Sequence, residues 1–189
     1  DVCSSDLFIF VISITGFYLV GRQWDVFVNS FIALASIEGI FSIALAMVAA
    51  KTIHEIGHGL AAAGLGCRVP AMGVAFMVMF PVMWTDTTDA WRLQRRQDRV
   101  KVDIAGIWME IILSSFCLLA WNFLPDGLLR TALFPLATTT WVITLIINLN
   151  PFMRFDGYFI LCDTLNVPNL EARAFALARW RLRETLFGW

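Results

Sequence analysis

VFVNSFIALASIEGIFSIALAMVAA, residues 26–50, runs directly into KTIHEIGHGLAAAGLG, residues 51–66, and the reading of this stretch decides the fold. Val26 to Ala50 holds one charged residue, Glu38, and exceeds the roughly 20 apolar residues that a helix needs to cross a bilayer. The continuation to Gly66 is also compatible with a helix. At about 1.5 Å per residue the two parts together outrun one straight span. A break near Gly39, or a helix protruding from the membrane, is therefore expected. Gly64 and Gly66 are placed to end the helix, because glycine takes the C-terminal left-handed conformation without penalty.

The whole composition agrees with a membrane setting. Of 189 residues, 59% are hydrophobic and 15% are charged, against about 45–50% and 25% in a soluble domain. Mean hydropathy is +0.72, and so apolar a chain lacks the polar residues to coat a soluble core. The net charge of −1 and the absence of a basic stripe exclude nucleic acid as a partner. Cys3, Cys67, Cys117 and Cys162 form no C-x-x-C pair. They read as small apolar fillers rather than a thiolate metal site or a disulfide framework.

Working outward, Leu7 to Val20 is an apolar run too short to span. DVCSSDL, residues 1–7, matches the translation of a common sequencing adapter and reads as a non-native start; it has neither the basic start nor the cleavage pattern of a signal peptide. Residues 8–170 then form a membrane-embedded core truncated at its N-terminus. Residues 171–189, with Arg173, Arg179, Arg181 and Arg183, begin a basic helix on the cytoplasmic surface that leads to a missing C-terminal region. Cys67 to Trp84, bounded by Pro70 and Pro81, suits a re-entrant hairpin or an interfacial strand pair. In TDTTDAWRLQRRQDRVK, residues 85–101, Asp86, Thr87 or Thr88 caps a short helix bearing Arg92, Arg95, Arg96, Arg99 and Lys101, a basic loop of the cytoplasmic kind. Val102 to Leu124 and Leu128 to Leu149 are further spans, joined by Pro125, Asp126 and Gly127. The expected fold is an all-α polytopic bundle of about four transmembrane helices with a short membrane-associated β-hairpin or re-entrant segment. By parity, the end of the histidine helix and the residues after Asn150 share one side of the membrane and can meet.

The chemistry lies in HEIGH, residues 54–58, which contains the only two histidines of the chain. Histidines at i and i+4 share a helix face and reach one Zn²⁺, with Glu55 adjacent as a general base. Two imidazoles and a carboxylate stacked by chance in an apolar helix would be costly. A catalytic zinc keeps three protein ligands and an open position, so a third donor must come from Glu38, Glu110, Asp86, Asp103 or Asp156. Glu38, sixteen residues before His54, lies about 160° round an ideal helix from it. Asp156 interrupts an aromatic stretch in NPFMRFDGYF, residues 150–159, at a turn-forming Asp-Gly step. The same pattern also suits an ordinary helix or turn cap.

HEIGH followed by NLNPFMRFDGYF, residues 148–159, resembles the site-2 protease family of intramembrane zinc metalloproteases. The family's second motif sets an asparagine, two residues and a proline ahead of Leu-Asp-Gly, whose aspartate is the third zinc ligand. Here Asn148, Pro151 and Phe155-Asp156-Gly157 match, with phenylalanine in place of leucine. The RFDGY form is similar to a bacterial branch identified as peptide zinc metalloproteases, and the resemblance covers residues 40–170. It implies zinc held by His54, His58 and Asp156. The family's Gly-x-x-x-Asn element, linked to substrate, corresponds to GIWME, with Gly106 and Glu110 at that spacing and glutamate replacing asparagine. Gly106, Glu110 and Asn148 are thus candidate substrate contacts; structural pairing is the other reading of Glu110 and Asn148. Val69 to Phe80 is similar in position to the family's membrane hairpin, which offers an edge to extended substrate.

The expected activity is peptide-bond hydrolysis in a bacterial cytoplasmic membrane, acting on a peptide or membrane-protein substrate, with a secretion or export complex as a further partner. A non-proteolytic zinc-binding component of such a complex, and a zinc hydrolase of a non-peptide substrate, are the alternatives.

Overall fold

The computed structural model describes residues 2–77 and 80–188; Val78 and Met79, at the tip of the expected hairpin, lie outside them, as does the side chain of Cys3. The chain is predominantly helical. Its elements are α1 (Val2–Arg22), α2 (Trp24–Ala33), α3 (Ile37–Gly64), β1 (Met72–Met77), β2 (Phe80–Thr85), a 3₁₀ turn (Thr88–Arg92), α4 (Arg96–Phe123), α5 (Leu128–Ile143), a π turn (Thr144–Asn148), α6 (Asp156–Leu165) and α7 (Leu170–Phe187). Among the described residues, α3, α4 and α5 continued to Asn148 are long and apolar enough to cross a membrane. The pair α1–α2, bent by 91°, makes a fourth if it is one broken span. Phe41 and Leu45 on α3 and Phe123 on α4 are exposed, an apolar outer surface of the kind a bilayer covers.

The break expected near Gly39 falls slightly earlier, and Val26 to Ala50 is two helices rather than one. Leu34 to Ser36 separates them, and the Ser36 side chain caps α3 by accepting from the Gly39 N–H at 3.0 Å. A Cβ on Gly39 would sit 2.4 Å from the Leu34 carbonyl oxygen. Glycine there lets the chain fold back against its own new helix.

Helix α4 is the central element, packed against α1, α3, α5 and α6. Ser13 and Ser115 hydroxyls meet at 2.7 Å between α1 and α4, the side-chain pairing that joins helices where apolar surface offers no discrimination. Phe27 of α2 packs edge-on to Trp121 and Phe134, 6.0 and 5.3 Å between ring centres. Together with Val20, Leu34, Leu118 and Ala137 these form the main buried cluster.

Cys67 to Trp84 is indeed a strand pair. β1 and β2 are antiparallel, in register from Met72 with Thr85 to Met77 with Phe80, and β2 lies against α3. The short basic helix is corrected: Thr88–Arg92 is a separate 3₁₀ turn, and Arg96, Arg99 and Lys101 already belong to the first turns of α4. Asp86 ties the turn by accepting from the Thr88 N–H at 3.0 Å, while Arg99 donates to the Leu93 carbonyl at 3.0 Å and pins the extended link between the two. The last span also differs from one regular helix. Its final turn widens, with Leu149 N–H donating to Thr144 C=O at 3.0 Å, and this turns Thr144 and Asn148 toward Glu110 of α4. Cys117 and Cys162 are buried free thiols and Cys67 is a half-buried one. Arg173, Arg179, Arg181 and Arg183 lie on α7, none of whose residues is buried.

Candidate metal centre

Four residues bring a helix round by little more than a turn, so His54 and His58 stack on one face of α3, both buried. Their Nε2 atoms are 3.0 Å apart. The other nitrogens are held from behind. His58 Nδ1 lies 2.7 Å from the carbonyl oxygen of Val102. A carbonyl only accepts, so Nδ1 carries the proton and the Nε2 lone pair faces inward. His54 Nδ1 lies 3.2 Å from Glu110 Oε1, at ion-pair distance but off the line of an aligned hydrogen bond.

The third donor comes from the far end of the chain. After the π turn, residues 149–155 reverse direction and α6 begins at Asp156. Its Oδ2 is 2.9 Å from His54 Nε2 and its Oδ1 is 3.5 Å from His58 Nε2. This approach depends on Gly157, where a Cβ would sit 2.5 Å from the Leu149 carbonyl carbon and oxygen. His54, His58 and Asp156 form a group able to hold a metal ion, with ligand atoms within 4.8 Å of one another.

Space for an ion beside these donors is set by α4. A Cβ on Gly106 would lie 2.4 Å from His58 Nε2 and 2.6 Å from His54 Nε2, in the position where the two rings converge. A Cβ on Gly57 would lie 2.8 Å from the Ala105 carbonyl oxygen, so α3 and α4 touch backbone to backbone at the level of the histidines. Beside the donors, a cavity of 520 Å³ is bordered by Glu55, His58 and Asp156 together with Trp84, Asp86 and Asp103. Glu55 is half-exposed on its wall, and its backbone carbonyl accepts from the Thr85 hydroxyl at 3.0 Å, tying β2 to α3. The Thr88 side chain and N–H hold the Asp86 carboxyl below its ordinary pKa.

The remaining donor candidates fall elsewhere. Glu38 borders a second cavity, of 890 Å³, with Trp121 and Phe134; its position early on α3 turns it away from the histidines. Asp86 and Asp103 face the 520 Å³ cavity outside the donor group. Glu110 and Asn148, weighed as substrate contacts, lie behind His54 and away from that cavity. Glu110 accepts from Lys51 Nζ at 2.7 Å, from Asn148 Nδ2 at 3.1 Å and from the Thr144 hydroxyl. Gly106 touches the imidazoles rather than the cavity. Three participants escaped sequence reasoning: the Val102 carbonyl, Lys51 and the Thr144 hydroxyl. The Val102 carbonyl has no side-chain signature; it uses an oxygen lone pair left over by the helix. Lys51 stands three residues before His54 on the same face, a charge in an apolar helix that called for a partner.

No protein-family model matches this chain, and no solved structure matches it.

Proposed function

We propose that this chain is the core of a membrane-embedded zinc metalloprotease that hydrolyses peptide bonds, with His54, His58 and Asp156 as the zinc ligands and Glu55 as the general base. The observation that carries the reading is the convergence of a His-His-Asp donor set with a carboxylate from the same helix beside one cavity. The donor separations, 2.9 to 3.5 Å, suit zinc: donors about 2.0–2.1 Å from a tetrahedral ion lie about 3.3 Å apart. Two imidazoles and one carboxylate also fit zinc better than calcium or magnesium, which take oxygen donors. Three ligands leave one position open, which a structural site would close.

When bound, zinc supplies Lewis acidity that polarises a scissile carbonyl and makes water easier to deprotonate. The residues of the chain do the rest. Glu55, on the cavity wall one position after His54, takes a proton from the attacking water and returns it to the leaving amine. Val102 fixes the His58 tautomer, and Gly106 keeps the space beside both Nε2 atoms clear. His58 lies six residues before the end of α3 at Gly64, about 9 Å along the axis, so water reaches the site from one end of the bundle. The apolar α3, α4 and α5 support placing this bundle in a membrane, and the basic first turns of α4 support a cytoplasmic position for the site end.

The test uses detergent-purified protein and a library of fluorogenic peptides. Wild type is expected to cleave a subset, and a zinc chelator to stop it. Glu55→Gln is expected to retain its metal and lose at least about 100-fold in rate, the lower range for a missing general base. Wild-type turnover by that variant would remove Glu55 from the mechanism. Cleavage of lipid esters in place of peptides would favour a non-peptide hydrolase.

A further inference from the structure

Glu110 sits on the span where the resembled family carries asparagine, and its surroundings differ from those of a substrate contact. It is 1% exposed and borders no part of the 520 Å³ cavity. Its two oxygens divide their neighbours evenly. Oε1 receives Lys51 Nζ at 2.7 Å and faces His54 Nδ1 at 3.2 Å. Oε2 receives the Thr144 hydroxyl and, at 3.1 Å, Asn148 Nδ2. Lysine and the asparagine amide nitrogen are donors only, and Thr144 already donates. An ionised carboxylate accepts at both oxygens and satisfies this set; an amide would turn an NH₂ toward one of the pairs.

We infer that Glu110 is a positioning residue: its Oε1, 3.2 Å from His54 Nδ1, favours the tautomer with the proton on Nδ1, so that the His54 Nε2 lone pair is presented beside that of His58 and the Asp156 carboxylate. The inference rests on the zinc reading above and adds a specific role to it. His54 and His58 are then oriented by different means, a buried carboxylate for one and the Val102 backbone carbonyl for the other. Lys51 offsets the charge of Glu110, which would otherwise stand alone among apolar helices. Thr144 and Asn148, delivered by the π turn, fix the carboxylate plane from the far side, so the end of α5 is coupled to the orientation of a ligand on α3. Outer partners of metal-binding histidines set ring orientation and basicity, and their loss lowers metal affinity by about 10–100-fold.

The experiment is competition for zinc against a chromophoric chelator, on purified full chain, alongside thermal unfolding and the d–d spectrum of the cobalt-substituted protein. Glu110→Gln is expected to bind zinc about 10–100-fold more weakly and to change the cobalt bands. Because a lone amide facing Lys51 can disturb folding, the decisive comparison is Lys51→Met against Lys51→Met/Glu110→Gln. In the double variant the amide oxygen can serve Thr144 and Asn148, while the NH₂ faces His54 Nδ1, so His54 loses its acceptor and the tautomer with a free Nε2 lone pair is no longer favoured. Weaker zinc binding in the double variant than in Lys51→Met, at equal unfolding temperature, is the expected result. Equal zinc affinity and an unchanged cobalt spectrum would overturn the positioning role while leaving the metal site in place. A wild type that takes up no zinc would overturn both.

Discussion

Around His54 and His58, Gly106 leaves room beside both Nε2 atoms and the Val102 carbonyl keeps the His58 proton on Nδ1. Gly106 shows how narrow the tolerance is, since a single methyl group there would occupy the space beside both Nε2 atoms. Gly106→Ala is expected to weaken zinc binding and to destabilise the protein by about 1–3 kcal/mol, the usual cost of overpacking; zinc titration and thermal unfolding of the variant check both. At this scale the sequence was informative wherever residue type implies chemistry. HEIGH put His54 and His58 on one helix face, and the Asp-Gly step drew attention to Asp156, the third member of the group able to hold a metal ion. It was silent on the Val102 carbonyl, because a backbone oxygen has no letter of its own. It was ambiguous on Glu110: an intramembrane carboxylate demands a partner, but Lys51, Thr144 and Asn148 lie far from it along the chain.

The elements hold these residues through their ends and irregularities. Helix α3 begins at a serine cap, α5 ends in a π turn, and α6 begins at the proposed third ligand. The start of α3 is a test of this scale. Ser36→Ala removes the acceptor for the Gly39 N–H and is expected to cost about 1 kcal/mol, lowering the unfolding temperature without altering zinc affinity, because His54 lies far along the same helix. The length of the apolar stretch called for a break near Gly39 or a helix protruding from the membrane. The structure places the break at Leu34 to Ser36, because the cap lies ahead of the glycine that permits the chain reversal. The strand pair was legible from its short length and its prolines. The extended link between the 3₁₀ turn and α4 was not, since it is pinned by the Arg99 side chain reaching back to Leu93.

For the molecule as a whole, the arrangement follows from apolar helices that must satisfy their few polar groups internally. Placing α4 in the centre lets one helix supply Val102, Gly106 and Glu110 to histidines on α3, while α5 and α6 close the site from the other side. The parity of the spans anticipated that the two motif-bearing ends meet, and they do. The most direct measurement is the zinc content of the detergent-purified protein, wild type beside His54→Ala and Asp156→Ala. About one zinc per chain in wild type, falling sharply in both variants, is the predicted result. A folded wild type without zinc, or variants that retain it in full, would contradict the account.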